Sequence, residues 1–151
     1  FKAEGGAEVI VDYAHSPDAL AVMLDTLRPH ARRLVVVFGA AGESDRGKRP
    51  LMGEVVGKFA DFAVITSDNP KSEDPLKIAR EIALGLEGKG ADYEIELDRK
   101  RAIRLALAAA GHGDIVLIAG KGHERFQITS QGQEPHSDIE FLLSQGLVRL
   151  A

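Results

Sequence analysis

The chain has 151 residues, a length that fits one ordinary domain, since compact domains run to about 100 to 200 residues. Apolar residues make up 44% and charged residues 28%, with 16 glycines, a globular composition that excludes extended disorder. Nineteen Lys and Arg against 23 Asp and Glu give a net charge of −4, so no global basic field favours nucleic acid as a partner. With no cysteine there is no disulfide, thiolate metal site or cysteine nucleophile. No apolar run reaches the roughly 18 residues of a membrane span, and FKAEGG lacks the pattern of a signal peptide. A cytoplasmic protein with no membrane partner is expected.

In chain order, Glu8 to Asp12 reads as a strand, followed by Ser16-Pro17-Asp18 as a capped helix start and Leu20, Met23, Leu24 and Leu27 at helical spacing. Leu34 to Phe38 is a fully apolar strand, and Pro50 is expected to open a helix carrying Met52, Val55, Val56 and Phe59. Phe62 to Thr66 is the next strand. Asp74-Pro75 then repeats the cap-and-proline signal before Ile78, Ala79, Ile82 and Leu86. A strand over Tyr93 to Leu97 leads to a helix from Asp98 that stops at Gly111. Beyond the apolar strand Ile115 to Ala119, Phe126 to Ser130 and Gln133 to His136 suggest a hairpin, and a last helix starts near Ser137. Alternation of this kind predicts an α/β fold, a Rossmann-like, three-layer, open and mostly parallel sheet with helices on both faces.

In such folds function gathers in the loops beyond the carboxyl ends of the strands, and four of these loops are polar and glycine-rich. Gly42 to Lys48 has the spacing of a phosphate-binding P-loop, but Arg49 stands where Ser or Thr would ligate magnesium. Glu43 and Asp45 also oppose a triphosphate there. A solvated turn remains open for this loop. So does a smaller anion site, built from Arg46, Lys48 and Arg49 at a helix amino end.

Asp12 and His15 sit at a strand end beside a helix start, where they serve either a nucleotide's ribose and phosphate or a local cap. Ser67 to Pro75 combines Asp68, Asn69 and Lys71, the equipment for gripping a zwitterion, with acceptors for its ammonium and a cation for its carboxylate. Gly120-Lys121-Gly122-His123-Glu124 lets backbone approach a ligand and crowds charged side chains at a strand end. The five histidines show no metal-ligand spacing, and no Gly-x-Ser-x-Gly elbow is present.

Taken in order, VDYAHSPDAL, KRPLMG, TSDNPKSEDP and AGKGHERFQI resemble the carboxy-terminal domain of the Mur ligases, in particular the branch that adds a diamino acid. The likeness runs from Val11 to the segment His136 to Asp138. It implies one domain, residues 1 to 151, acting as a diamino-acid-binding lid. The UDP-sugar domain and the central ATPase domain, with its P-loop and carbamylated lysine, lie outside the chain. It implies an ATP-dependent amide ligase that activates the D-glutamate carboxylate of UDP-MurNAc-L-Ala-D-Glu as an acyl phosphate, with Mg2+, for attack by the amine of meso-diaminopimelate, L-lysine or L-ornithine. The isolated lid is not expected to turn over.

By motif, Asp12 and His15 fall at nucleotide contacts, while Asp68, Asn69, Pro70, Lys71, Gly120 and Glu124 fall at diamino-acid contacts. None of these is a catalytic residue, and no metal ligand is implied in this domain. Two positions depart from the diaminopimelate pattern: Lys71 replaces an arginine, and Ser44 fills the place of a second carboxylate-binding arginine. Arg46, Lys48 and Arg49 are the nearby cations that could contact the distal carboxylate instead. A stand-alone nucleotide-binding or regulatory module using Gly42 to Lys48 is the rival from another class. The DYAH opening is also shared with cyanophycin synthetase, against which DNPK argues.

Overall fold

The structure, a computed structural model, describes residues 1–150. Five strands, β1 (Glu8–Asp12), β2 (Leu34–Phe38), β3 (Phe62–Ile65), β4 (Asp92–Ile95) and β5 (Ile115–Ala119), form one parallel sheet in the order β1-β5-β2-β3-β4. Helices α1 (Pro17–Leu27), α2 (Lys48–Phe59), α3 (Pro75–Leu86) and α4 (Arg99–Ala109) make the crossovers, with a short 3-10 turn at Arg28–His30. A separate antiparallel hairpin, β6 (Phe126–Thr129) and β7 (Gly132–Pro135), precedes α5 (Asp138–Ser144). No helix among the described residues is long and apolar enough to cross a membrane.

Side-chain acceptors start most of the helices. Ser16, Asp74, Asp98 and Ser137 each accept a hydrogen bond from a first-turn N–H of the helix they precede. The exception is α2, which begins at Lys48 rather than at the expected Pro50. Its first-turn donors are already used, because Lys48 N–H reaches Asp45 O and Arg49 N–H reaches Arg46 O. The α4 helix ends at Ala109, short of the expected stop, because the buried Asp114 carboxylate accepts the Gly111 N–H and draws the chain toward β5. Strand β4 is one edge of the sheet, half exposed, and its ladder with β3 closes at Ile95, two residues before the expected end.

Two cores follow from the alternating faces of the sheet. Leu34, Val36, Phe38, Ile65 and Leu117 pack with Leu20, Leu24, Met52, Val56, Ile78 and Ile82 of α1, α2 and α3. Val35, Val37, Val64, Val116 and Ile118 pack on the other face with Ala102, Ile103, Phe141 and Leu142 of α4 and α5. The expected three layers are therefore present. Because β5 inserts between β1 and β2, its outgoing loop runs to the opposite face from theirs, which opens a crevice above its carboxyl end.

Beneath that crevice lies a buried ion pair. The Arg99 guanidinium donates from Nε and Nη2 to both Asp138 oxygens at 2.8 Å, and also to Ser67 O and Ala119 O at 3.0 Å each. His136 Nε2 lies 2.7 Å from Asp138 Oδ1. Burial alone would push the Asp138 carboxyl up, but the Arg99 and His136 hydrogen bonds outweigh it and hold it well below the usual carboxylate range. A carboxyl depressed in this way contributes stability that is complete above its unfolded value and is lost as the pH falls through its folded one. Removing one partner of a buried pair leaves the other charge uncompensated, so Asp138→Asn is expected to cost about 3 to 5 kcal/mol in urea unfolding. The deficit should shrink as the pH falls from the unfolded carboxylate value toward the depressed folded one, where wild type loses the same contribution.

Candidate functional site

Loops at the carboxyl ends of β1, β2, β3 and β5 meet around a cavity of about 180 Å³ in the crevice. Tyr13 and His15 line it from the first loop, Ser44 and Lys48 from the second, Asp68 and Asn69 from the third, and Gly120 and Glu124 from the fourth. The approach is close: Gly120 has φ +113°, and a Cβ there would lie 2.4 Å from Asp68 Oδ2. At Gly42 a Cβ would meet Pro70 O at 1.8 Å, so the second and third loops pack backbone to backbone.

The inner wall is organised by a lysine to which the sequence reading assigned no role. Lys121 is fully buried, and its Nζ donates to Asn69 Oδ1 at 3.0 Å and to Glu124 Oε1 at 3.1 Å, with Asp68 Oδ1 at 3.8 Å. Asn69 Oδ1 also accepts from Ile128 N–H at 2.9 Å, and Asn69 Nδ2 donates to Glu124 Oε1 at 3.1 Å. Gln127 of β6 accepts the Asn69 N–H at 3.2 Å. Asn69 and Lys71 both have positive φ, 45° and 56°, a conformation that persists only where the surroundings impose it. Asp68 is 5% exposed, and among the described residues nothing donates a hydrogen bond to its carboxylate. Burial pushes its pKa up, against the pull of Arg99 and Lys121.

The second loop is not built as a phosphate cradle. Gly42 N–H donates to Asn69 O, Glu43 N–H to Glu73 Oε2 and Gly47 N–H to Asp45 Oδ1, so these donors, with those of Lys48 and Arg49, are turned to the protein. The anion cluster expected from Arg46, Lys48 and Arg49 is corrected in the same way. Arg49 is fully buried, bonded to Glu73 at 2.8 Å and to Glu81 at 2.9 Å, and Arg46 is paired with Glu81. These arginines hold α2, α3 and the third loop together. Lys48 alone of the three lines the cavity, and it makes no ion pair among the described residues.

The remaining candidates are held by local contacts or lie outside that cavity. Asp12 Oδ2 accepts the Ala14 N–H at 2.8 Å, a local turn, while the exposed His15 Nδ1 lies 2.7 Å from Tyr13 O and its ring meets Tyr13 edge-on. Ser44 Oγ donates to Ala41 O at 2.7 Å. Pro70 and Lys71 line a second cavity of about 490 Å³ on the other side of the third loop, with Ser67, Gln127, Glu134 and His136. Among the described residues no three His, Asp or Glu side chains are grouped to hold a metal ion. The signal for Lys121 was its place between two glycines directly after the most apolar strand. Nothing local marked the bonds of Gln127 to Asn69 and of Arg99 to Asp138, whose partners are 58 and 39 residues apart.

A family model described as Mur ligase, glutamate ligase domain, matches residues 1–122. The chain belongs to the Mur ligase family. Two relatives of this Mur ligase domain are each called UDP-N-acetylmuramoyl-L-alanyl-D-glutamate–2,6-diaminopimelate ligase. The one from Caulobacter vibrioides is 50% identical over 135 residues, 89% of this chain and 27% of the relative. The one from Bradyrhizobium diazoefficiens is 52% identical over 147 residues, 97% of this chain and 30% of the relative. A solved structure of a ligase of the same name aligns with a TM-score of 0.85 at 41% identity, over 91% of this chain and 28% of that one. A murein peptide ligase from Psychrobacter arcticus, at 18% identity and a TM-score of 0.56 over 80% of this chain and 26% of its own, shares the fold. The Mur ligase domain thus spans less than a third of the proteins it matches.

The bracket between the second and third loops has a pH signature. Hydrogen bonds from Arg49 and then from the Glu43 N–H lower the Glu73 carboxyl from 4.5 to about 2. Its contribution to loop order is complete above its unfolded value and is lost as the pH falls through about 2. An NMR titration of Glu73 is expected to find that low value, and Arg49→Met is expected to return it toward 4.5.

Proposed function

We propose that this chain is the carboxy-terminal lid of a longer ATP-dependent ligase. That ligase would join a diamino acid, meso-diaminopimelate, to the D-glutamate carboxylate of UDP-MurNAc-L-Ala-D-Glu in peptidoglycan precursor synthesis. The observation that carries the reading is the cavity wall of Asp68 and Glu124, acceptors for an ammonium braced by Asn69, in a domain about half identical to diaminopimelate ligases. The remaining length of those relatives leaves room for a UDP-sugar domain and an ATPase domain. Both would be partners of this lid within one cytoplasmic protein.

ATP would supply the acyl phosphate that makes the D-glutamate carboxylate reactive. The second loop offers no triphosphate cradle, and among the described residues no three His, Asp or Glu side chains are grouped to hold Mg2+. Both would be bound by the domain that lies outside this chain. That same loop speaks against a stand-alone nucleotide module built on Gly42 to Lys48.

The chemistry left to the lid is placement. The amine of the diamino acid is itself the nucleophile, so no side chain of the lid needs to attack. Asp68 and Glu124 hold the distal ammonium, with Asn69 fixing Glu124 through its amide nitrogen, and Lys48, at the rim, draws the distal carboxylate in place of the arginine that Ser44 replaces. Lys71 adds positive charge from the neighbouring cavity. Asp12 and His15 face the nucleotide side, where Asp12 has one oxygen outside its local turn. Orienting two bound reactants is worth at most about 7 to 11 kcal/mol of barrier, and closure of the lid would also keep water from the acyl phosphate.

Phosphate release by the full-length ligase, measured with meso-diaminopimelate, L-lysine and L-ornithine in turn, tests the substrate. Diaminopimelate is expected to support turnover, and activity with lysine or ornithine alone would overturn the assignment. Asn69→Ala and Glu124→Ala are each expected to raise the KM for the diamino acid about ten- to a hundredfold, the worth of a charged hydrogen bond, with the KM for ATP little changed. Lys48→Ala should raise the KM for diaminopimelate more than that for lysine, which has no distal carboxylate.

A further inference from the structure

Lys121 has no exposed surface and does not line the cavity, yet the three polar side chains of the inner wall surround its ammonium. An asparagine amide has two orientations that differ by exchange of oxygen and nitrogen. Here Lys121 Nζ and Ile128 N–H both donate to one atom of Asn69, at 3.0 and 2.9 Å, which makes that atom the oxygen. The Nδ2 group therefore faces Glu124 Oε1 at 3.1 Å. Glu124 is in turn held by that oxygen alone, leaving Oε2 without a protein donor.

We propose that Lys121 is a positioning residue for the distal ammonium of the incoming amino acid. It fixes the Asn69 amide with nitrogen toward Glu124, and it anchors one Glu124 oxygen, so that the other oxygen and the Asp68 carboxylate remain free for the ligand. The proposal rests on the function proposed above. It adds a charge argument: Asp68 and Glu124 bring two negative charges to the wall and Lys121 one positive, so the wall is matched to a single cation. Without Lys121 the same wall holds two carboxylates, an arrangement in which one of them takes up a proton. Asp68 is the group poised to do so, since burial already raises its pKa, Glu124 and Asp138 push the same way, and only Arg99 and Lys121 oppose them. A lost lysine would also free the Asn69 amide to turn its oxygen toward Glu124, replacing attraction by repulsion.

The test uses the full-length ligase with whichever of the three diamino acids wild type accepts; if it accepts none, the underlying reading fails and this proposal with it. Lys121→Met is expected to raise the amino-acid KM at least about tenfold while kcat and the KM for ATP stay within about twofold. The raised KM should climb further as the pH is lowered, over a range where the wild-type value is flat, because protonation of Asp68 moves up into that range. Combining it with Glu124→Gln should add less than the product of the two single effects, because both act on one interaction. An equal rise in the KM for ATP, a pH-independent KM, or fully multiplicative effects would each overturn the proposal. If Lys121→Met does not give folded protein, Asn69→Asp reads the same geometry. It places a second carboxylate beside Glu124 and should raise the amino-acid KM at least about tenfold, with the KM for ATP within about twofold. An Asn69→Asp enzyme with wild-type KM would show that nitrogen does not face Glu124, and the proposal would fall.

Discussion

The guanidinium of Arg99 ties together parts of the fold that the sheet ladder alone leaves separate. It bonds Ser67 O just beyond β3, Ala119 O at the end of β5, and Asp138 at the start of α5. Each carbonyl is followed at once by a site loop, one beginning at Asp68 and the other at Gly120. The planar fork of an arginine reaches two carbonyls and a carboxylate in fixed directions, and a lysine in its place would supply a point charge without that geometry. A buried charge is tolerated only when its hydrogen-bonding capacity is met, and here every partner of the charge belongs to the frame of the site. The ion pair therefore sets the separation of Asp68 from Gly120, which a single added methyl group would violate.

A second layer of constraint stands on that frame. Buried Arg49, with Glu73 and Glu81, fixes the second and third loops against α2 and α3, and buried Lys121 fixes the third and fifth-strand loops against one another. The chain thus places a buried cation at each seam between loops and leaves the exposed Lys48 and the neighbouring Lys71 as the cations free to meet a ligand. Counting basic residues near a glycine-rich loop overstates the anion-binding power of the site, because Arg46 and Arg49 are neutralised by carboxylates from α3 and the loop before it.

What was legible in the sequence had local causes. Ser16, Asp74, Asp98 and Ser137 announce helices because a cap acts on the next turn, and apolar runs such as Leu34 to Phe38 announce strands covered on both faces. The convergence of Asp68, Asn69, Gly120 and Glu124 was legible through likeness to a family and through the rule that strand ends carry function. The start of α2 was not, because the donors of its first turn are satisfied by Asp45 and Arg46, a detail of loop geometry that Pro50 does not report. The burial of Arg49 and Lys121 was hidden for a related reason. Charged residues in polar loops read as solvated, and only tertiary packing brings Glu73, Glu81 and Asn69 to them.

The modest net charge of −4 gains a local meaning from these pairings. A long-range field of one sign would steer any charged molecule, whereas a lid that closes on a zwitterion must treat its two ends differently over a few ångströms. Neutralised arginines remove competing attraction at the seams, and in the proposed reading the acidic wall would meet an ammonium and Lys48 at the rim a carboxylate. Selectivity then depends on short contacts within a cavity of about 180 Å³, which exist only once the loops are held in register. That is the physical reason for buried Arg49, Arg99, Lys121 and Asp138 to lie directly behind the loops of the site.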